Sequence, residues 1–219
     1  MEVIQLSDVG IETSTLRAAE VLRARGVVLY PTDTLYGLGA DALSDEAVAK
    51  VRNIKGREEG KPIHCIVADL AMAGKYADVN DSARLLAKEF FPGPLTLVLK
   101  RKQGVDMGIA RGVGTIGVRV SKNDFCIALA REFGKPYTTT SANVSGEVSE
   151  RSVQKILTQL GESAKQIDLV IDAGELPPSL PSTVVGVRGQ DVVILREGAI
   201  PASDIYDVLG WMPREREGL

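Results

Sequence analysis

The chain has 219 residues, of which 44% are hydrophobic and 25% charged, and a formal net charge of −3. This balance allows a globular core without disulfides or a structural metal, and it excludes a surface that is basic throughout, so any RNA contact needs a local cluster of Lys and Arg. Cys65, Cys126 and the single histidine, His64, form neither a disulfide framework nor a zinc site. No apolar run nears the roughly 20 residues that cross a bilayer, and the acidic start MEVIQLSDVG is not a signal peptide. These features predict a reduced, cytoplasmic protein without a membrane partner.

Taken in chain order, short β-branched runs alternate with helical patterns. VIQL near the start predicts a strand. TSTLRAAEVLRARG then predicts a helix with hydroxyl residues for caps and Gly26 at its C′ position. VVLY at 27–30 is a strand that leads into a polar loop, Tyr30-Pro31-Thr32-Asp33-Thr34-Leu35-Tyr36-Gly37-Leu38-Gly39. SDEAVAKVRNI predicts a helix capped by Ser44, with Val48, Val51 and Ile54 on the buried side. After it come a strand at 63–67, a helix in NDSARLLAKEFF, and strands at 95–100 and 115–120. NDFCIALAREFG and SERSVQKILTQLG predict further helices, separated by a strand around 135–141. Strands at 169–172, 182–187 and 192–197 follow, the last two joined as an antiparallel hairpin through Gly189-Gln190-Asp191, before a final short helix. Alternating strands and helices with one hairpin predict an α/β protein built on a mixed sheet. With no linker or repeat, the expectation is one domain over residues 1–209 and a frayed tail at 210–219.

Two glycine motifs are false leads. Gly37-x-Gly39-x-x-Ala42 fits a dinucleotide fingerprint only loosely, because polar residues separate it from its strand and the helix starts too late. Gly56-Arg57-Glu58-Glu59-Gly60-Lys61 is one residue short of a phosphate loop, and Pro62 replaces the hydroxyl that would hold magnesium.

Four segments carry chemistry. The Pro31–Gly39 loop is either a turn satisfied by its own hydroxyls or a grip for a small polar ligand at a strand's carboxyl end. Lys55, Arg57 and Lys61 follow a helix, where the macrodipole favours cations and where they could equally meet a phosphate. Arg119 lies on an apolar strand and needs a partner, either an internal carboxylate or a ligand's. The run Thr138–Ser141 with Asn143 reads as strand and turn, or as a neutral surface for a nucleotide or amino acid. His64, among Ile63, Cys65 and Ile66, reads as a packed strand residue.

In order along the chain, Pro31-Thr32-Asp33-Thr34-Leu35-Tyr36-Gly37-Leu38, Lys55-x-Arg57 with Lys61-Pro62, and Phe91-Pro92-Gly93-Pro94-Leu95-Thr96 are followed by Thr115-Ile116-Gly117-Val118-Arg119. Thr140-Ser141-Ala142-Asn143, Pro181-Ser182-Thr183-Val184 and Leu195-Arg196-Glu197-Gly198 complete the series. This series resembles the YrdC/TsaC family of threonylcarbamoyl-AMP synthases, including its Lys-x-Arg and Ser-x-Asn signature. The resemblance implies a YrdC-like fold, a twisted mixed sheet flanked by helices with a basic concave cleft. It also implies that L-threonine, bicarbonate and ATP, with Mg²⁺ on the phosphates, become threonylcarbamoyl-AMP and pyrophosphate. That reaction is the first step toward threonylcarbamoyladenosine beside the tRNA anticodon. On the same basis Thr32, Arg119, Thr139 and Ser182 would hold threonine, with Arg119 on its carboxylate. Lys55, Arg57 and Lys61 would face the phosphates, Lys55 and Arg57 as the catalytic cations. Thr115, Ser141, Asn143, Ser149 and Arg196 would line the nucleotide side. A tRNA threonylcarbamoyl transferase complex is the implied partner, and a weak tRNA contact stays open. Longer relatives carry a second domain for which this chain has no room, so closure over the nucleotide would come from elsewhere or the site would stay more open. The alternatives are an RNA-binding or ribosome-maturation module and a carbamoyl-adenylate enzyme of hydrogenase maturation.

Overall fold

The computed structural model describes residues 1–58, 61–189 and 191–210. Chain order begins with β1 (Glu2–Gln5), α1 (Leu6–Val9), α2 (Ile11–Arg23), β2 (Val28–Pro31), β3 (Tyr36–Gly39) and α3 (Asp45–Lys55). It continues with β4 (His64–Ile66), α4 (Leu70–Tyr76), α5 (Asp81–Phe90), β5 (Leu95–Lys100), β6 (Thr115–Arg119) and α6 (Asp124–Phe133). The last elements are β7 (Tyr137–Thr139), α7 (Val153–Leu160), β8 (Leu169–Asp172), β9 (Thr183–Arg188), β10 (Asp191–Arg196) and α8 (Ala202–Val208). Strands β5 and β8 coincide with the predicted runs, whereas α1, β3 and α4 were not anticipated. The hairpin β9–β10 is antiparallel as expected, with its turn residue Gln190 outside the described residues. The tail 211–219 also lies outside them.

The single mixed sheet expected from the sequence is instead two. One has the order β1-β8-β2-β3 and the other β10-β9-β5-β6-β4-β7, each with parallel and antiparallel pairs. Their edge strands β3 and β7 meet along a seam. There Leu38 N donates to Thr140 O at 2.9 Å and Thr138 N to Ala40 O at 2.8 Å. Between these rungs the Thr138 hydroxyl donates to Leu38 O at 2.9 Å and accepts from Ala40 N at 2.9 Å. A side chain therefore stands in for one rung of the ladder that joins the two sheets.

Local chemistry explains the glycines of β3. Tyr30 pairs with Gly37 across β2–β3, and its ring covers both glycines of β3. A Cβ on Gly39 would sit 2.9 Å from the Tyr30 ring, and one on Gly37 3.1 Å from it, so glycine here makes room for an aromatic lid. The fingerprint-like glycines thus belong to a strand and start no helix. Helix α2 ends differently from expectation as well. Arg25, with φ 61°, takes the left-handed position after the helix. Gly26 is required for another reason, since a Cβ there would lie 2.7 Å from Asp168 Oδ2.

Helix α3 behaves as its sequence predicts. Ser44 Oγ accepts from Ala47 N at 3.3 Å, and Val48, Val51 and Ile54 are buried together with Lys55. Gly56, with φ 56°, ends it in the left-handed conformation. Alternation along β4, β5 and β6 sends Cys65, Leu97 and Val118 into the core and leaves His64, Thr96 and Arg119 on the opposite face. That face is the floor of the cleft described next.

Candidate active site

A cleft of about 420 Å³ opens where the β2–β3 loop, the seam and the open face of the larger sheet converge. That volume suits a small molecule or nucleotide fragment. Thr32, Arg57, Arg119, Thr139, Ser141, Ser149, Ser182 and Arg196 all line it, so two thirds of the residues singled out from sequence share one cavity. Three arginines face it, and no carboxylate lines it among the described residues.

Each of these side chains is held by its own local structure. Thr32 follows β2, and its hydroxyl accepts from Thr34 N at 3.0 Å and Leu35 N at 3.1 Å while donating to Leu35 O at 2.7 Å. The loop is thus a turn satisfied by its own hydroxyls, and Thr32 and Thr34 also line the cleft. Arg119 is buried and paired. Its Nη2 meets Asp33 Oδ1 at 2.7 Å, Nη1 donates to Thr34 Oγ1 at 3.1 Å and Nε to Gly93 O at 3.2 Å. Ser121 Oγ donates to the same Asp33 oxygen. Of five guanidinium N–H groups, two stay available for a ligand. On the far wall Arg196 Nη2 donates to Ser182 O at 2.8 Å, and Ser182 Oγ lies 3.0 Å from Thr96 Oγ1.

Arg57 carries the clearest vacancy. Its Nη2 donates to Pro62 O at 2.8 Å, yet its Nε is buried with no hydrogen-bond partner among the described residues. A buried unpaired donor is costly, so a ligand acceptor at this point would relieve it. The electrostatics agree. Burial first, then the positive charges of Arg52 and Arg196, lowers the Arg57 pKa from its ordinary value. Burial and Arg119 lower that of Arg196. Mutual repulsion among these cations is what a bound anion would relieve.

His64 lines the same cleft, a site position that sequence reasoning assigned only to packing. The expected packing is observed. Its ring lies on Gly117, where an added Cβ would come within 2.4 Å of Cδ2. Burial, then Arg196, Arg57 and Arg119, pushes its pKa down to about 4, so near neutral pH it offers an uncharged imidazole. The signal available in the sequence was the pairing of a strand histidine with a glycine on the strand beside it.

Four predicted contacts lie elsewhere. Lys55 is buried behind the cleft wall, its Nζ donating to Asn143 O at 2.8 Å, to Asn143 Oδ1 at 3.0 Å and to Ser141 O. Burial, then the charge of Arg57, pushes the Lys55 pKa down to about 7, and the structure places this residue behind the wall rather than on the cleft lining expected of a phosphate contact. Asn143 is likewise turned inward, its Nδ2 donating to Val144 O at 3.0 Å and Glu147 O at 2.6 Å. Lys61 is exposed and pairs with Glu58 at 3.3 Å, and Thr115 is exposed at the start of β6, off the cleft lining. The loop residues Glu59 and Gly60 lie outside the described residues. Among the described residues no group of His, Cys, Asp and Glu could hold a metal, and no helix is long and apolar enough to cross a membrane.

The chain is similar to several known proteins. The Sua5/YciO/YrdC family model, described as telomere recombination, matches residues 20–198. A Methanocaldococcus jannaschii protein, provisionally named threonylcarbamoyl-AMP synthase, is 41% identical over 83% of this chain and 84% of its own. The threonylcarbamoyl-AMP synthase of Pyrococcus abyssi is 34% identical over 88% of this chain, which spans only 56% of that longer protein. The crystal structure of P. abyssi Sua5 complexed with L-threonine superposes with a TM-score of 0.83 at 34% identity, covering 91% of this chain and 58% of that one. With a family model spanning most of its length and a relative this similar across its own, the chain belongs to the Sua5/YciO/YrdC family.

Proposed function

We propose that this cleft makes threonylcarbamoyl-AMP from L-threonine, bicarbonate and ATP, a nucleotidyl transfer with pyrophosphate as leaving group. The observation that carries the proposal is the convergence of Arg57, Arg119 and Arg196 on one cleft that, among the described residues, has no lining carboxylate and leaves Arg57 Nε without a partner. Every substrate is an anion or carries a carboxylate, and the names of the relatives point to the same product.

The chemistry follows from the charges. The amine of threonine forms a bond to the carbon of bicarbonate, or of the carbon dioxide it yields, and loses a proton and water to give a carbamate. A carbamate oxygen then bonds to the α-phosphorus as the bond to pyrophosphate breaks. Assembling mutually repelling groups and stabilising phosphate charge is the catalytic task, and positioned cations accomplish it without a covalent nucleophile. Arg119, with two free N–H groups, takes the threonine carboxylate, and Thr139 and Ser182 supply hydroxyls around it. Thr32, whose hydroxyl is used within the turn, shapes the wall beside them. Arg57 and Arg196 take the phosphates, and Ser141 and Ser149 face the nucleotide. Mg²⁺ would accompany ATP as part of the substrate and would neutralise phosphate charge, since among the described residues the wall offers no carboxylate to hold it.

Residues 1–209 act as one catalytic unit, supported by a single hydrophobic core running from Ala18 to Ile205. The mixed anhydride formed is hydrolysis-prone, so a tRNA threonylcarbamoyl transferase in the same cytoplasm is the fitting consumer. The test is pyrophosphate release from MgATP and bicarbonate with L-threonine, L-serine or no amino acid. We expect threonine-dependent release that falls by about two orders of magnitude in Arg119→Ala, as loss of a charged substrate anchor entails. Folded, ATP-binding protein that shows only salt-sensitive RNA binding, with no threonine-dependent release, would sink the proposal.

A further inference from the structure

The four residues of the Lys-x-Arg and Ser-x-Asn signature fall into two pairs in space. Arg57 and Ser141 line the cleft, whereas Lys55 and Asn143 do not. The inward pair is fully bonded. Lys55 Nζ reaches three oxygens on the 141–143 segment, and Asn143 Oδ1 accepts from both Lys55 Nζ and Ser141 Oγ, the latter at 2.6 Å. Asn143 Nδ2 holds the next turn through Val144 O and Glu147 O. The main chain completes the link, since Ser145 N donates to Lys55 O at 2.9 Å. Lys55 is 1% and Asn143 7% exposed, so neither can turn toward the cleft without breaking this network.

We propose that Lys55 and Asn143 form a staple that sets the site's width and act on the nucleotide only through what they hold. Lys55 is the last residue of α3, and the left-handed Gly56 then sends Arg57 into the cleft. Asn143 lies between Ser141 and Ser149 in the chain, and both serines line the cleft with Arg57. Joining Lys55 to Asn143 therefore fixes the separation between Arg57 and the two serines. A lysine suits this place because its three donors match three converging oxygens, and no shorter side chain on α3 would span the gap. Lys55 and Asn143 are positioning residues in this scheme, while Arg57 and Ser141 touch the ligand. The inference rests on the nucleotide reading of the cleft proposed above.

The test has two arms that need no turnover. Hydrogen exchange on the ligand-free protein follows residues 141–149, and calorimetry measures MgATP affinity without threonine. Lys55→Met removes the ammonium at nearly constant length, and Asn143→Ala opens the same staple from its other end should the first variant fold poorly. Either change should speed exchange across 141–149 while α2, α6 and the β1–β8 pair keep their rates. Each should also weaken MgATP by about tenfold, as losing a buried hydrogen-bonded network would, and the double variant should be no weaker than the worse single one. Two results overturn the staple. Weaker MgATP binding with unchanged exchange at 141–149 would return Lys55 to direct phosphate contact. Faster exchange with MgATP affinity held within about twofold would leave the pair merely structural. Unmodified protein that fails to bind MgATP would count against the proposed function, and the exchange arm would then decide the staple alone.

Discussion

His64 shows how one side chain can be both core and site. Its imidazole rests on Gly117 and faces three arginines, and burial with their charge pushes its pKa down to about 4. In the unfolded chain it would titrate near 6.5. Between those values the unfolded state binds a proton that the folded state refuses, so stability falls as pH drops from about 6.5 to 4 and the penalty is absent above that window. Urea unfolding at pH 7 and pH 4.5 should show a loss on the order of 2–3 kcal/mol that His64→Gln largely removes. An acid loss identical in both proteins would mean that His64 protonates freely when folded. Gly117→Ala probes the same contact from beneath. With a Cβ only 2.4 Å from the ring, the variant should lose about 1–3 kcal/mol by overpacking. A displaced imidazole would also reshape the cleft floor, so its threonine affinity should drop more than its MgATP affinity.

At the level of elements, the seam between the two sheets depends on the hydroxyl of Thr138. Replacing it with valine keeps shape and β-propensity but leaves Leu38 O and Ala40 N without their shared partner. Thr138→Val should therefore cost about 1–3 kcal/mol, whereas Thr138→Ser should cost less because it retains the hydroxyl. Equal losses in the two variants, measured by denaturant midpoint at constant m-value, would show that packing rather than bonding holds the seam. This seam also marks where sequence reading stopped. Strands such as Leu95–Lys100 and Leu169–Asp172 announce themselves as buried β-branched runs. Strand β3, Tyr-Gly-Leu-Gly, has no such pattern, because two of its four positions are emptied to admit the Tyr30 ring. Helices α1 and α4 span only 4 and 7 residues, too short for a periodicity to emerge. The site was legible in part for a similar reason. Which polar residues gather could be read from their types and order, but the inward turn of Lys55 and Asn143 depends on contacts across 88 residues of chain.

Across the whole molecule, the cleft draws on both sheets at once. Thr32, Thr34 and Tyr36 come from the smaller sheet and the loop beside it, while His64, Thr96, Arg119, Ser182 and Arg196 belong to the larger sheet or its flanks. Asp33 on the β2–β3 loop already grips Arg119 at the end of β6, so the charge anchoring a substrate also ties the two halves together. A ligand held from both sides should stabilise the joint more than either half. Saturating L-threonine with MgATP, at about 100 times the dissociation constant, adds roughly 2.7 kcal/mol to global stability by mass action alone. The local signature is more telling than the global one. Slowed exchange should concentrate at the amides of Leu38, Ala40 and Thr138, which bond across the seam, and leave the outer β1–β8 and β9–β10 pairs little changed. In Asp33→Asn the Arg119 tie is weakened, and the same ligands should protect the seam less even at saturation. Protection spread evenly over all strands would instead mean that the ligands only deepen global stability, and that the two sheets already behave as one rigid body without them.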